Sequence, residues 1–467
     1  WSGSGGSSFD LIGAGEGPEL DRQFVATILG EHTPFAHDIA QSLQAAAESI
    51  GVQFKFIFAG QYYLCQGYSS GCGADSVKAW LQAWMGRWEG IDSFGQWEHS
   101  KTLEVGIAGS SSREADGLAE ALSLHGDRFA ANPDLFVCGD SALFCWLLRR
   151  RATHRAHFSH VPAFHILGMV FFQYVPYAWH KEMLEDYREW WLSHDTGTDS
   201  FAVFMEALGL QMRWQMGVLL PFVPSLGPAA FSSVAYRPST DGSLSMAVLH
   251  NAFWRLPAGR VFSSLLRRFA AHLRLQMSIS NSKISEPREW VPLESLASHT
   301  CGLYVPAEFS QITFRDMYAV GLPMLIPDDV WLLRLFRHMF ADWGQLHAEH
   351  RGNRLTKWSH AEESKFLPAG NARAEMLKAV QDEADNWPHE PFYDAGREPT
   401  AKLNYWLPLA DVKRYPHLTE FHSLSTCLRL VASENWHVIS ARMRSHLWGT
   451  IAENVKRFYQ HALVALL

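Results

Sequence analysis

Cysteine is scarce in this chain, six in 467 residues, and no two stand as a CxxC pair. That count excludes a disulfide-stapled scaffold, and the spacing argues against a zinc site of ordinary pattern. Cys65 and Cys72, in CQGYSSGC, either close a small loop in an oxidising compartment or stand as two free thiols, while Cys138 and Cys145 are expected as core thiols. Long apolar runs are also missing: no stretch of about 18 residues could span a bilayer. Excess positive charge is missing too. A net charge of −8 and a pI near 6.3 exclude the broad basic face that displaces counterions from nucleic acid. The run Arg149 to Arg151 reads as a solvated helix end. No nucleophile elbow or phosphate-loop lysine motif stands out, and LIGAGEG (residues 11–17) lacks both a preceding strand and the full G-x-G-x-x-G spacing.

What is present is a globular composition, 47% hydrophobic and 19% charged, in a chain longer than the roughly 250–300 residues that one core supports. Two domains follow. The 19 Trp and 29 Phe fill large cores and could also stack on sugar faces. The opening WSGSGGSS reads as a flexible linker, leaving room for a signal peptide or anchor upstream.

Strand and helix patterns then alternate. RQFVATIL (22–29) reads as a buried strand, AHDIAQSLQAAAESI as a helix and VQFKFIFAG as the next strand. LEVGIAG (103–109), DLFVCGD (134–140) and SFAVFMEA (200–207) extend the series, which predicts a parallel sheet covered by helices. Residues 219–242, rich in Pro, Gly and Ser, read as a crossing to a second series: LSMAVLHN, GRVFSSLLRRFAAHL, RLQMSIS, PLESLASH and CGLYVP. The expected division is a linker at 1–21, an acceptor-side domain at 22–230, a nucleotide-side domain at 231–439 and a last helix at 440–467 that could cross back to the first domain. The fold class is α/β, two Rossmann-like domains facing across a cleft.

The stretch YVPAEFSQITFRDMYAVGLPMLIPD (304–328) carries the chemistry. Glu308 falls in the loop after a strand, Ser310 is positioned as N-cap, and Gly321 ends the helix before Pro323. The first-turn N–H groups, with the hydroxyls of Ser310 and Thr313, form a place for a phosphate. Asp316 shares the inward face of Ile312, Ala319 and Val320, so it needs a partner. A ribose would supply one, and so would a buried arginine.

The pattern E-x7-D-x4-G-x-P, from Glu308 to Pro323, resembles the Glu-x7-Glu signature of glycosyltransferases with the GT-B fold. Asp316 stands where the second Glu is usual, and Gln311 where a Gly follows the Ser. The resemblance implies a nucleotide-diphosphate sugar held by the second domain, with Glu308 on the sugar, Ser310, Gln311 and Thr313 on the diphosphate, and Asp316 on the ribose. It implies transfer to a glycan, protein or small-molecule hydroxyl without a metal, with retention ahead of inversion. Cations for the leaving diphosphate are Arg255, Arg260 and Lys283, and His250 and Asn251 end a strand at the carboxyl edge where such sheets bind ligands. On the acceptor side Glu31 and His32 follow the first strand, where His32 could act as general base. His417 and His422 are expected to be structural. No cofactor or metal is assigned, and no nucleic-acid partner or membrane span. Two further readings stay open: a nucleotide-sugar 2-epimerase of the same architecture, and a non-catalytic sugar- or nucleotide-binding protein. Compartment is open between the cytoplasm and a secretory lumen, to which a Cys65–Cys72 loop would belong.

Overall fold

The computed structural model describes residues 23–29, 33–59, 133–140, 142–150, 160–168, 177–192, 199–216, 219–239, 243–249, 252–255, 257–281, 291–306, 310–339 and 404–466. Glu31, His32, His250, Asn251, Lys283, Glu308, Cys65, Cys72 and the expected strand at 103–109 lie outside them.

The first sheet begins with β1 (Gln23–Leu29), whose apolar run QFVATIL is buried from Ala26 onward. Helix α1 (Thr33–Glu48) follows and buries Phe35, Ala36, Ile39, Ala40 and Leu43 at helical spacing. β2 (Gln53–Ala59), β3 (Leu135–Asp140), α2 (Ala142–Arg150), β4 (Ala163–Leu167), α3 (Tyr177–Leu192), β5 (Ser200–Val203) and α4 (Glu206–Met216) complete the unit. All pairings are parallel, in the order β2-β1-β3-β4-β5. β4, AFHIL, is fully buried and was not anticipated from the sequence. Burying its Phe164 and Ile166 contributes roughly 1.5–3 kcal/mol each.

Cys138 on β3 and Cys145 on α2 are joined as a disulfide with their Cα atoms 5.9 Å apart. This corrects the expectation of two separate core thiols: the turn from strand to helix brings their Cβ atoms within bridging reach.

The crossing runs in irregular backbone with one 3-10 turn at Pro228–Phe231. The second sheet comprises β6 (Leu244–Val248), α5 (Pro257–His272), β7 (Met277–Asn281), α6 (Leu293–Ala297), β8 (Cys301–Leu303), α7 (Ile312–Val320), β9 (Met324–Pro327), α8 (Asp329–Met339), α9 (Asp411–Arg414), β10 (Thr419–Phe421) and α10 (Leu424–Ser433). Its order, β10-β9-β8-β6-β7, is again parallel and repeats that of the first sheet strand for strand.

The chain ends in α11 (Trp436–His446), a π turn (Leu447–Ile451) and α12 (Ala452–Val464). This run starts earlier than the helix expected at residue 440. Its last segment returns to the first sheet. Val455, Tyr459, Ala462 and Leu463 are buried in the same cluster as α1, and Gln460 Nε2 donates to Ser49 Oγ at 2.6 Å. No helix among the described residues is long and apolar enough to cross a membrane.

Candidate functional site

In the segment that carries the motif, β8 is followed by irregular backbone at 304–306 and 310–311, then α7 and β9. Gly321 closes α7 at φ 76°, a left-handed turn that glycine adopts without cost. The start differs from expectation. Gln311, not Ser310, is the N-cap, and its side chain makes no capping bond, because its Oε1 accepts from the hydroxyl of Tyr304. First-turn amides of α7 thus have no side-chain cap from that residue.

Ser310 is engaged elsewhere. Its hydroxyl donates to Asp411 Oδ2 at 2.8 Å and accepts from Arg315 Nη2 at 2.5 Å. Arg315 is 1% exposed and is the central charge of the region. Its Nε and Nη2 fork onto the two oxygens of Asp411 at 3.1 Å each, and Nη2 also donates to the backbone oxygen of Phe204, at the end of β5, at 3.1 Å. The guanidinium lies 4.7 Å from the Phe204 ring centre. One side chain of the second sheet therefore grips the first. Burial works against its charge, but Asp411, Tyr415 and Asp38 outweigh that and raise its pKa.

Asp316, next in sequence, does not pair with an arginine. Its Oδ1 accepts the N–H of Ala229, in the crossing segment, at 2.9 Å. Gly227, at φ 82°, lies so close that a Cβ there would sit 2.9 Å from Asp316 Oδ1. On the other side of the crossing, Asp38 of α1 is 2% exposed and interacts with the Ser225 hydroxyl and the N–H groups of Leu226 and Gly227. Burial raises both acids: Asp38 to about 6, against the pull of Ser225 and Arg315, and Asp316 to about 7, against the Ala229 N–H and with the help of Asp38. Tyr415 adds a bond from its hydroxyl to Ser225 O at 3.3 Å. Residues 225–229 are thus held between one acid from each sheet.

Sequence reasoning missed Arg315, Asp411 and Asp38. Arg315 lies three residues from Ile312 and four from Ala319, so the spacing that singled out Asp316 applied equally to its neighbour.

The other candidates are dispersed. Thr313 is exposed in the first turn of α7. Arg260 is exposed on α5, where with Trp254, Ser263, Ser264, Arg267 and Arg268 it lines an open groove of about 340 Å³. Arg255 ends a 3-10 turn, Ala252–Arg255. His417 is exposed and has φ 67°; His422 Nε2 lies 3.0 Å from Thr426 Oγ1 at the start of α10.

No protein-family model and no curated protein matches the chain. Among solved structures it is similar to the glycotransferase of kitacinnamycin, at 10% identity and TM-score 0.40 over 95% of this chain and 99% of that one. It is similar to the calicheamicin glycosyltransferase CalG4, at 12% and 0.39 over 95% and 99%. A third is the glycosyltransferase SnogD from Streptomyces nogalater, at 14% and 0.34 over 82% and 98%. The fold itself stands on the two parallel sheets of matching order and on the helix returned to the first: two Rossmann-like units in a GT-B arrangement.

Proposed function

We propose that the chain is a nucleotide-sugar-dependent glycosyltransferase, with the donor at the N-terminus of α7 and the acceptor against the first sheet. The observation that supports this most is the setting of the D-x4-G-x-P part of the motif: a helix that follows β8, whose first turn has no side-chain cap from Gln311, and Gly321 in the left-handed turn. Amides there, at the positive end of the helix dipole, would hold a diphosphate. Thr313 would add a hydroxyl. Glu308 would address the sugar, and Arg255, Arg260 and Lys283 are the cations to draw on for the departing charge. Asp316 would meet the ribose with the oxygen that the Ala229 N–H leaves, so donor binding and the joint between the sheets would share one residue. Glu31 and His32 would serve the acceptor, His32 as base.

The test is a thermal-shift panel of UDP, GDP, ADP, dTDP and CMP with their sugars, on the wild type and on Thr313→Asp. A ligand of the folded state raises the melting temperature. The variant places a carboxylate at the helix N-terminus, where it favours the helix and repels a diphosphate. One nucleoside diphosphate series should stabilise the wild type and lose that effect in the variant. Failure of every nucleotide to shift the wild type would overturn the donor site. Turnover of the stabilising donor only when an acceptor is added separates transfer from epimerisation, which needs none.

A further inference from the structure

Away from the joint, the first sheet contains a group of buried ligand atoms that the proposed reaction does not use. Cys138 on β3 and His165 on β4 are direct neighbours in the parallel register, and α2 lays Cys145 over the same face. The two sulfurs and an imidazole nitrogen lie within 4.8 Å of one another, and all three residues are buried. His165 is 0% exposed, and neither ring nitrogen has a partner at hydrogen-bond distance among the described residues. Its Nε2 is 3.7 Å from Asp199 Oδ2, beyond a hydrogen bond but close enough to be drawn into one. The ring is fixed by stacking on Phe201, 4.4 Å between centres and 9° between planes, and by the edge of Tyr187.

A disulfide explains the two sulfurs and leaves the histidine unexplained. A buried polar group without a partner costs roughly 1–3 kcal/mol, and here an imidazole nitrogen lies within 4.8 Å of two soft sulfurs.

We propose that, in the reduced protein, Cys138, Cys145 and His165 bind a thiophilic cation, zinc(II) in the first instance, with Asp199 fixing the ring from behind. Two thiolates and one imidazole neutralise a divalent ion in a buried place, and a carboxylate behind a ligating histidine is the usual outer partner. Among the described residues no fourth His, Cys or carboxylate joins the group. Binding needs the dithiol. A phosphine reductant opens the S–S bond, its phosphorus being oxidised by water's oxygen while each sulfur takes a proton; the cation then displaces two protons from the thiols. Disulfide and metal are therefore alternative states of one site.

The experiment uses the full chain in a Cys65→Ser, Cys72→Ser background, phosphine-reduced, titrated with cobalt(II) and then zinc(II). One cobalt per chain, with a thiolate-to-cobalt charge-transfer band that zinc abolishes, is expected. Cys145→Ser should remove most of that band. His165→Gln should weaken binding at least tenfold, and Asp199→Asn about 10–100-fold. Far-UV circular dichroism checks each variant, and Cys145→Ser carries the test if the histidine variant fails to fold. A reduced, folded protein that shows no charge-transfer band overturns the proposal. So does a band that survives Cys145→Ser, since it would then belong to Cys301 or Cys427.

Discussion

The two sheets share one strand order but use their buried polar groups differently. In the first, two arginine–aspartate pairs close on the unit itself. Arg149 of α2 pairs with Asp199 just before β5, and Arg150 with Asp186 of α3, which also accepts Trp146 Nε1 at 2.7 Å. In the second, Arg315 and Asp316 reach out of their own sheet, to Phe204 O and to the crossing segment. Identical topology thus leaves open what a polar residue holds together: the first set fastens helices to their own sheet, the second fastens one sheet to the other.

The comparison breaks hardest at Arg315. Arg315→Met leaves the buried Asp411 without its counter-charge, with only the Ser310 hydroxyl as donor, and the Phe204 oxygen without its Arg315 bond, which is expected to cost about 3–5 kcal/mol in urea unfolding. Faster hydrogen exchange should appear in both β5 and α7. Adding Asp411→Leu should recover much of the loss. Asp186→Ala is the counterpart within one unit. Removing the acceptor of Trp146 and Arg150 should cost roughly 2 kcal/mol, with faster exchange confined to α2 and α3.

The acids of the joint give a smaller effect with a defined sign. Asp316 is raised from 3.8 to about 7, so the folded state holds its proton more tightly than the unfolded chain does. The stability linked to this proton is full below pH 3.8 and is lost as pH rises to about 7. Asp316→Asn should flatten that fall, and the difference between wild type and variant should change by on the order of 2 kcal/mol between pH 4 and pH 8. A difference independent of pH would mean that Asp316 is ionised throughout. The smallest change is expected at the rim. Lys413 pairs with Glu420 at 2.6 Å and with Asp329 at 2.5 Å, and Lys413→Met should alter stability by less than about 1 kcal/mol and exchange in the joint not at all.

Much of the architecture was legible in the sequence, because buried parallel strands such as QFVATIL and LSMAVLHN are short apolar runs with helical periods between them. β4 escaped because it is only five residues long and has a histidine at its centre; β10 escaped because TEF is three residues with a charge between polar and aromatic ends. The helix of the motif and its glycine stop were readable from local chemistry. The partners were not. Asp316 meets Ala229 and Arg315 meets Asp411 across 87 and 96 residues of sequence, and helical spacing reports that a face is inward without naming what faces it.

The returned helix bears on how the chain is made. A ribosome that has released β1 to β5 has still to synthesise Ala452–Val464, the segment that covers α1. Until then α1 lacks the helix whose Val455, Tyr459, Ala462 and Leu463 share its buried cluster. A nascent chain stalled before residue 452 would lack this helix and leave apolar surface of α1 for chaperones to hold.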